Sequence, residues 1–168
     1  VVPCAGKHVG MGAKALEPVR QAMGVNPTES KTITLTCGKL TTGVTVRPWG
    51  GILMLRNLKS PETYFQAAFR VQSPWTVTDE MGNDVIVKDI CYVLDFAPNR
   101  ALRQVSEYSN KLNINEEAPG SVEDRVGEFI RFLPILYSDG GAMRHIDARE
   151  VLDLADTGIS ANLLARRW

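Results

Sequence analysis

The chain has 168 residues, 44% hydrophobic and 23% charged, with 19 basic and 19 acidic side chains. That size and balance fit one domain, or one domain with a short annex, and exclude disordered, collagenous and coiled-coil classes. No apolar run reaches the ~18 residues a membrane span needs, and Val1-Val2-Pro3 opens no basic-then-apolar leader, so a cytoplasmic piece of a longer or processed chain is expected.

Zero net charge hides an uneven distribution. Residues 31–75 carry Lys31, Lys39, Arg47, Arg56, Lys59 and Arg70 against Glu62 alone, whereas residues 76–168 are net acidic. A basic block of this kind points to an anionic partner at that end. Cys4, Cys37 and Cys91 have no CxxC spacing and lie in apolar, strand-like stretches. Reduced core thiols are expected there, with no disulfide framework or zinc site.

In chain order, Val1 to Cys4 reads as a strand end. Ala13 to Met23 reads as a helix, with Leu16, Val19 and Met23 three and four apart and Gly24 and Pro27 as stops. Thr32 to Cys37 is an alternating β-branched strand ended by Gly38, and Gly51 to Leu55 is a second, buried strand. Ser60-Pro61 opens a helix with an N-cap serine and proline at its first position, and Tyr64, Phe65, Ala68 and Phe69 form the inner face. Asp89 to Phe96 is the longest apolar run and reads as a strand, followed by a helix from Pro98 carrying Leu102, Val105 and Leu112. Strands alternating with helices imply an α/β fold, with a mainly parallel sheet covered on both faces. After about residue 115 the pattern becomes helical only, with capping signals at Ser121–Asp124 and at Asp147–Glu150. The expected organisation is an α/β domain over 1–115 and a helical extension over 116–168.

Several chemistries find no support. The glycine-rich stretch Gly6 to Lys14 lacks the Gly-Lys-Ser/Thr of a phosphate loop, which occurs nowhere in the chain. His8 and His145 are the sole histidines, with no GxSxG elbow, no HExxH and no GxGxxG fingerprint. The pairs Glu116-Glu117 and Glu123-Asp124 sit in helix-starting contexts and read as solvated surface.

The segment 36–73 differs. Thr36 to Val46 leaves a strand directly and is rich in hydroxyls and glycines, which suits a ligand loop at the carboxyl edge of a parallel sheet. Downstream, Gln66 and Arg70 stand four apart, one helical turn, so both heads are expected on one face, suited to a phosphate and its attacking water. A solvated helix face with ordinary polar residues is the competing reading of that spacing.

These residues, in this order, resemble the second RecA-like domain of superfamily 2 helicases and translocases. The stretch Thr41-Thr42-Gly43-Val44-Thr45 is similar to motif V, and Gln66 with Arg70 to motif VI. The wording of Leu40 to Thr45 and of Asp95-Phe96-Ala97-Pro98-Asn99-Arg100-Ala101-Leu102 is most similar to motors of restriction–modification systems. The chain departs from the motifs at three places: Phe69 stands where motif VI has glycine, Ser73 where it has its last arginine, and Thr45 where many relatives have a ribose-contacting aspartate.

The resemblance implies the second motor domain of an ATP-dependent DNA translocase in a bacterial restriction enzyme. Arg70 and Gln66 would be catalytic, Gly43 and Thr45 nucleotide-binding, and Lys39, Thr41, Thr42, Arg47 and Arg56 nucleic-acid-binding. No metal ligand is assigned. The Walker A lysine and the acidic magnesium pair belong to the family's first RecA-like domain, so ATP and Mg2+ are expected in the full-length protein only, and this chain alone is expected to bind neither and to hydrolyse nothing. The implied partners are that first domain, double-stranded DNA, and nuclease or methyltransferase modules. A non-catalytic α/β interaction module that keeps only the fold is the alternative.

Overall fold

The computed structural model describes residues 1–6, 8–10, 12–41, 43–112, 120–138 and 140–165, with side chains described as far as 157. The chain divides into two compact units, the first made of Val1–Leu53 and Phe65–Leu94, the second of Met54–Tyr64 and the chain from Asp95 onward.

In the first unit β1 (Val2–Cys4) pairs in parallel with β2 (Thr34–Thr36), placing Val2 opposite Thr34 and Cys4 opposite Thr36. Between them runs α1 (Ala13–Met23), the helix expected from the Leu16, Val19 and Met23 spacing. Those three side chains are buried together with Val2, Cys4 and Ala15, and burial of each large one contributes roughly 1.5–3 kcal/mol. The same core takes Leu40, Val44 and Val46 from the segment after β2, with Val9 and Trp49 packed at its margin. A crossover from β1 through α1 to a parallel β2 is the βαβ unit that the sequence pattern implies.

The rest of the first unit departs from one wide parallel sheet. β3 (Gly51–Met54) pairs with β6 (Tyr92–Asp95), and the backbone N–H of Tyr92 donates to the carbonyl of Gly50 at 2.9 Å. β4 (Trp75–Thr78) and β5 (Asp84–Lys88) form an antiparallel hairpin that the sequence reading did not anticipate. Asp79 organises its turn, accepting from the N–H groups of Met81 at 2.9 Å and Asn83 at 2.8 Å. These backbone donors hold the Asp79 carboxyl below the usual carboxylate range. The class is mixed α/β, built from four two-stranded pairs among the described residues. Cover on both sheet faces is also incomplete, since Leu35, Leu53, Tyr92 and Leu94 are exposed. Of the cysteines only Cys4 is buried; Cys37 is exposed and Cys91 half-buried, so two of the three are not core thiols.

The second unit is a helical layer. α2 (Pro61–Ala68) begins in this unit and ends in the first, and its start is tied to α3 (Pro98–Leu112) by an ion pair between Glu62 and Lys111. α3 packs against α4 (Val122–Phe132) and α5 (Ala148–Ala165), and α4 packs against α5. Leu102, Val105, Val126, Val151 and Ala155 are buried, and the rings of Tyr108 and Phe129 meet edge to face at 5.8 Å. The expected caps are formed: Ser121 and Asp124 make a reciprocal capping box, and Asp147 and Glu150 exchange bonds of 2.8 and 3.1 Å. The region is not helical only, because β7 (Leu136–Tyr137) and β8 (Arg144–His145) form a short antiparallel pair. Glu116 and Glu117 lie outside the described residues.

Candidate functional site

Among the described residues the stretch from Cys37 to Gly50 contains no helix or strand, yet cations hydrogen-bond to several of its carbonyls. Its side chains alternate, Leu40, Val44 and Val46 buried against α1 and Gly43, Thr45 and Arg47 exposed. Its sharpest turns use Gly38 at φ +82° and Gly43 at φ +70°, a left-handed conformation that other residues adopt only with strain. The hydroxyl of Thr41 closes the first of these turns by donating to the carbonyl of Gly38 at 2.7 Å.

Arg70 reaches this loop from a separate part of the chain. Its Nε donates to the carbonyl of Thr41 at 2.7 Å and its Nη1 to that of Val44 at 2.8 Å. The residue that resembles motif VI is therefore bonded directly to the loop that resembles motif V. Gln66 behaves differently. α2 ends at Ala68, and Phe69–Gln72 continues as a tighter 3₁₀ turn. Three residues per turn instead of 3.6 carries Arg70 further round the axis than an α-helical i,i+4 pair allows. Gln66 is exposed, whereas Arg70 is half-buried against the loop. The two residues thus differ in exposure across that change of helix type.

Two lysines hold the same segment by the same chemistry. The ammonium of Lys39 donates to the carbonyls of Gly6, Val9 and Gly10, fastening the glycine-rich stretch ahead of α1. The ammonium of Lys88, at the end of β5, donates to the carbonyls of Arg47 at 2.8 Å, Trp49 at 2.9 Å and Val71 at 2.7 Å. An ammonium has three N–H donors, so both lysines are fully engaged by backbone. Burial pushes the Lys88 pKa down. Lys39 therefore spends on loop carbonyls the head group expected to meet a phosphate backbone. Lys88 carried no signal in the sequence, where a lysine beside Asp89 at a strand end reads as surface.

The remaining expected residues divide between the two units. Thr45 and Arg47 are exposed and line a cavity of the first unit together with Arg20 and Trp75. Arg56 is exposed in the second unit, and Thr42 lies outside the described residues. Arg100 and Arg103, both on α3, are in ion pairs with Asp95 and Glu107. Buried Asp95 also accepts from Tyr64, and burial followed by this carboxylate raises the Tyr64 phenol well above its usual range. His8 and His145 are exposed. No group of three His, Cys, Asp or Glu that could hold a metal ion occurs among the described residues, and no described helix is long and apolar enough to cross a membrane.

Over 148 residues the chain is 32% identical to a Mycoplasma pneumoniae protein provisionally named as the C-terminus of a type II restriction enzyme and methyltransferase. The match takes in 88% of this chain and 20% of that protein, so the chain spans one fifth of the length of this relative. No family model and no solved structure matches the chain. The similarity relates the chain to a restriction–modification protein.

Proposed function

We propose that this chain is the second RecA-like motor domain of an ATP-dependent DNA translocase within a restriction–modification protein. The observation that carries the reading is the pair of bonds from Arg70 to the carbonyls of Thr41 and Val44. They couple the candidate arginine finger to the candidate nucleic-acid loop without an intervening residue, so a displacement of one is transmitted to the other. The relative's name supports the restriction–modification setting, and its greater length supplies room for the first motor domain and for nuclease or methyltransferase modules.

The residues fit a phosphate on one structural count. A guanidinium has five N–H donors, and Arg70 uses two on the loop, which leaves its Nη2 group for an anion. They supply no magnesium site of their own among the described residues. ATP, when bound between two such domains, would supply the phosphoryl group whose transfer drives the motor. Within this chain Arg70 presents positive charge where negative charge develops, a contribution larger in the transition state than in the ground state. Exposed Gln66 offers an amide to a phosphate oxygen or to water. Gly43 and Thr45 serve the nucleotide, Gly43 by allowing close backbone approach, and Thr41, Thr42, Arg47 and Arg56 provide hydroxyl and guanidinium contacts to a nucleic-acid backbone, a sequence-independent and salt-sensitive mode suited to translocation. Lys39 acts in this reading by fixing the loop ahead of α1.

A non-catalytic interaction module is the second reading, favoured by the same two bonds, since a clasp between Arg70 and its loop is structural whether or not phosphate follows. DNA-stimulated ATP hydrolysis by the full-length protein with Arg70→Ala separates the two. A motor loses turnover by orders of magnitude; a module shows no DNA-stimulated turnover to lose.

A further inference from the structure

At the C-terminal end of α1 the first unit holds a cavity of about 590 Å³, whose walls include Arg20, Met23, Thr45, Arg47, Pro48 and Trp75. Such a volume falls within the ~300–1,000 Å³ of sites that enclose small organic ligands. No acidic side chain lines it. Arg20 and Arg47 are both exposed, and neither guanidinium has a hydrogen-bond or ion-pair partner among the described residues. In this they differ from Arg70, Arg100, Arg103 and Arg144, which are all engaged. Trp75 lines the cavity where the β4–β5 register shifts between Trp75 and Thr76, an irregularity of the kind that re-aims a side chain.

Two unpaired guanidinia, a hydroxyl and an indole with apolar neighbours match the parts of one nucleotide. Planar guanidinium forks bind phosphate oxygens in pairs. An aromatic face stacks on a base of any sequence, and Met23 and Pro48 add apolar wall for the base edge. We infer that this cavity binds a nucleotide unit, its phosphate between Arg20 and Arg47 and its base against Trp75. The site lies some 16 Å along α1 from the loop clasped by Lys39, by the rise of an 11-residue helix. Neither Arg70 nor Gln66 lines it, but Thr45 and Arg47 do and the motor reading also uses them, so Arg20 and Trp75, which that reading does not use, are the residues that test this site apart from it.

Fluorescein-labelled dT12 is titrated against the full chain at low salt without ATP, with AMP and inorganic phosphate as competitors. The wild-type chain is expected to bind the oligonucleotide, with Arg20→Ala weakening it ~5-fold or more and lowering the salt slope by about one. Trp75→Leu is expected to weaken dT12 by a similar factor while Trp75→Phe retains binding, and a 5-iodouracil oligonucleotide is expected to cross-link to the peptide containing Trp75. Displacement by AMP identifies a free nucleotide as sufficient; displacement by unlabelled dT12 alone identifies a strand. Failure to bind either ligand overturns the proposal, as does cross-linking only elsewhere or an equal loss with Arg131→Ala, an exposed arginine of the second unit with no part in either reading. Because Arg20 is exposed and its head group has no partner among the described residues, Arg20→Ala is expected to fold, and unchanged affinity in that variant overturns the proposal even if Trp75→Leu unfolds.

Discussion

The guanidinium Nε of Arg70 donates to the backbone carbonyl of Thr41 at 2.7 Å, across 29 positions of sequence. With its partner bond to Val44, this makes one side chain both a clasp on the loop and a candidate ligand for phosphate.

In the full-length protein Arg70→Ala is expected to lower kcat for DNA-stimulated ATP hydrolysis by ~10³-fold, the scale on which arginine fingers act in phosphoryl transfer. ATP binding should weaken less than kcat falls, because the contact strengthens as charge develops. Arg70→Lys should rescue poorly, since an ammonium cannot span the Thr41 and Val44 carbonyls with a planar fork and still face outward. Ser73 leaves no second motif arginine to share the load. Near-normal turnover in a folded Arg70→Ala protein would assign Arg70 to structure alone.

Lys88→Met keeps the aliphatic stem and deletes the head that serves Arg47, Trp49 and Val71. Three carbonyls then lose a charged donor, and the chain is expected to lose about 2–3 kcal/mol, on the scale of a hydrogen bond to a charged group. Urea denaturation measures this. A midpoint unchanged from wild type would show that water replaces the ammonium without cost.

Lys39→Met should act locally. The carbonyls of Gly6, Val9 and Gly10 lose their common donor, while the buried face of α1 is untouched. Amide exchange and protease nicking should rise over residues 5–12 with little change in the exchange of α1 itself. Equal acceleration through both segments would mean that the lysine supports the whole unit.

The Glu62 carboxyl is held down to about 2, first by its hydrogen bond from Lys111 and then by that from Ser60. A folded value below the ~4.3 of a free glutamate stabilises the folded state fully above that pH, and the stabilisation is lost as pH falls from there toward 2. NMR titration of the Glu62 carboxyl carbon should show the depressed midpoint, and Lys111→Ala should raise it. A Glu62 midpoint near 4.3 in the wild-type chain would show the pair to be open in solution.

The amino-acid sequence by itself determined the features that depend on neighbours along the chain. Helix α1 follows from the spacing of Leu16, Val19 and Met23, and the starts of α4 and α5 follow from Ser121–Asp124 and Asp147–Glu150, whose donors and acceptors lie three residues apart. The restriction–modification relation was legible in the wording of Leu40 to Thr45 and of Asp95 to Leu102. Tertiary structure decided what those residues touch. That Lys39 and Lys88 are spent on carbonyls while Arg20 and Arg47 have no partner among the described residues cannot be read from a charge count, because each of the four counts as one positive charge. Their acceptors lie 17 to 41 positions away, brought within reach only when the loop's Leu40, Val44 and Val46 are buried against α1. The hairpin of β4 and β5 and the change from α to 3₁₀ at Phe69 were likewise settled by packing. Periodicity reports which face of an element is buried; the burial of one loop decides which charges remain for a ligand.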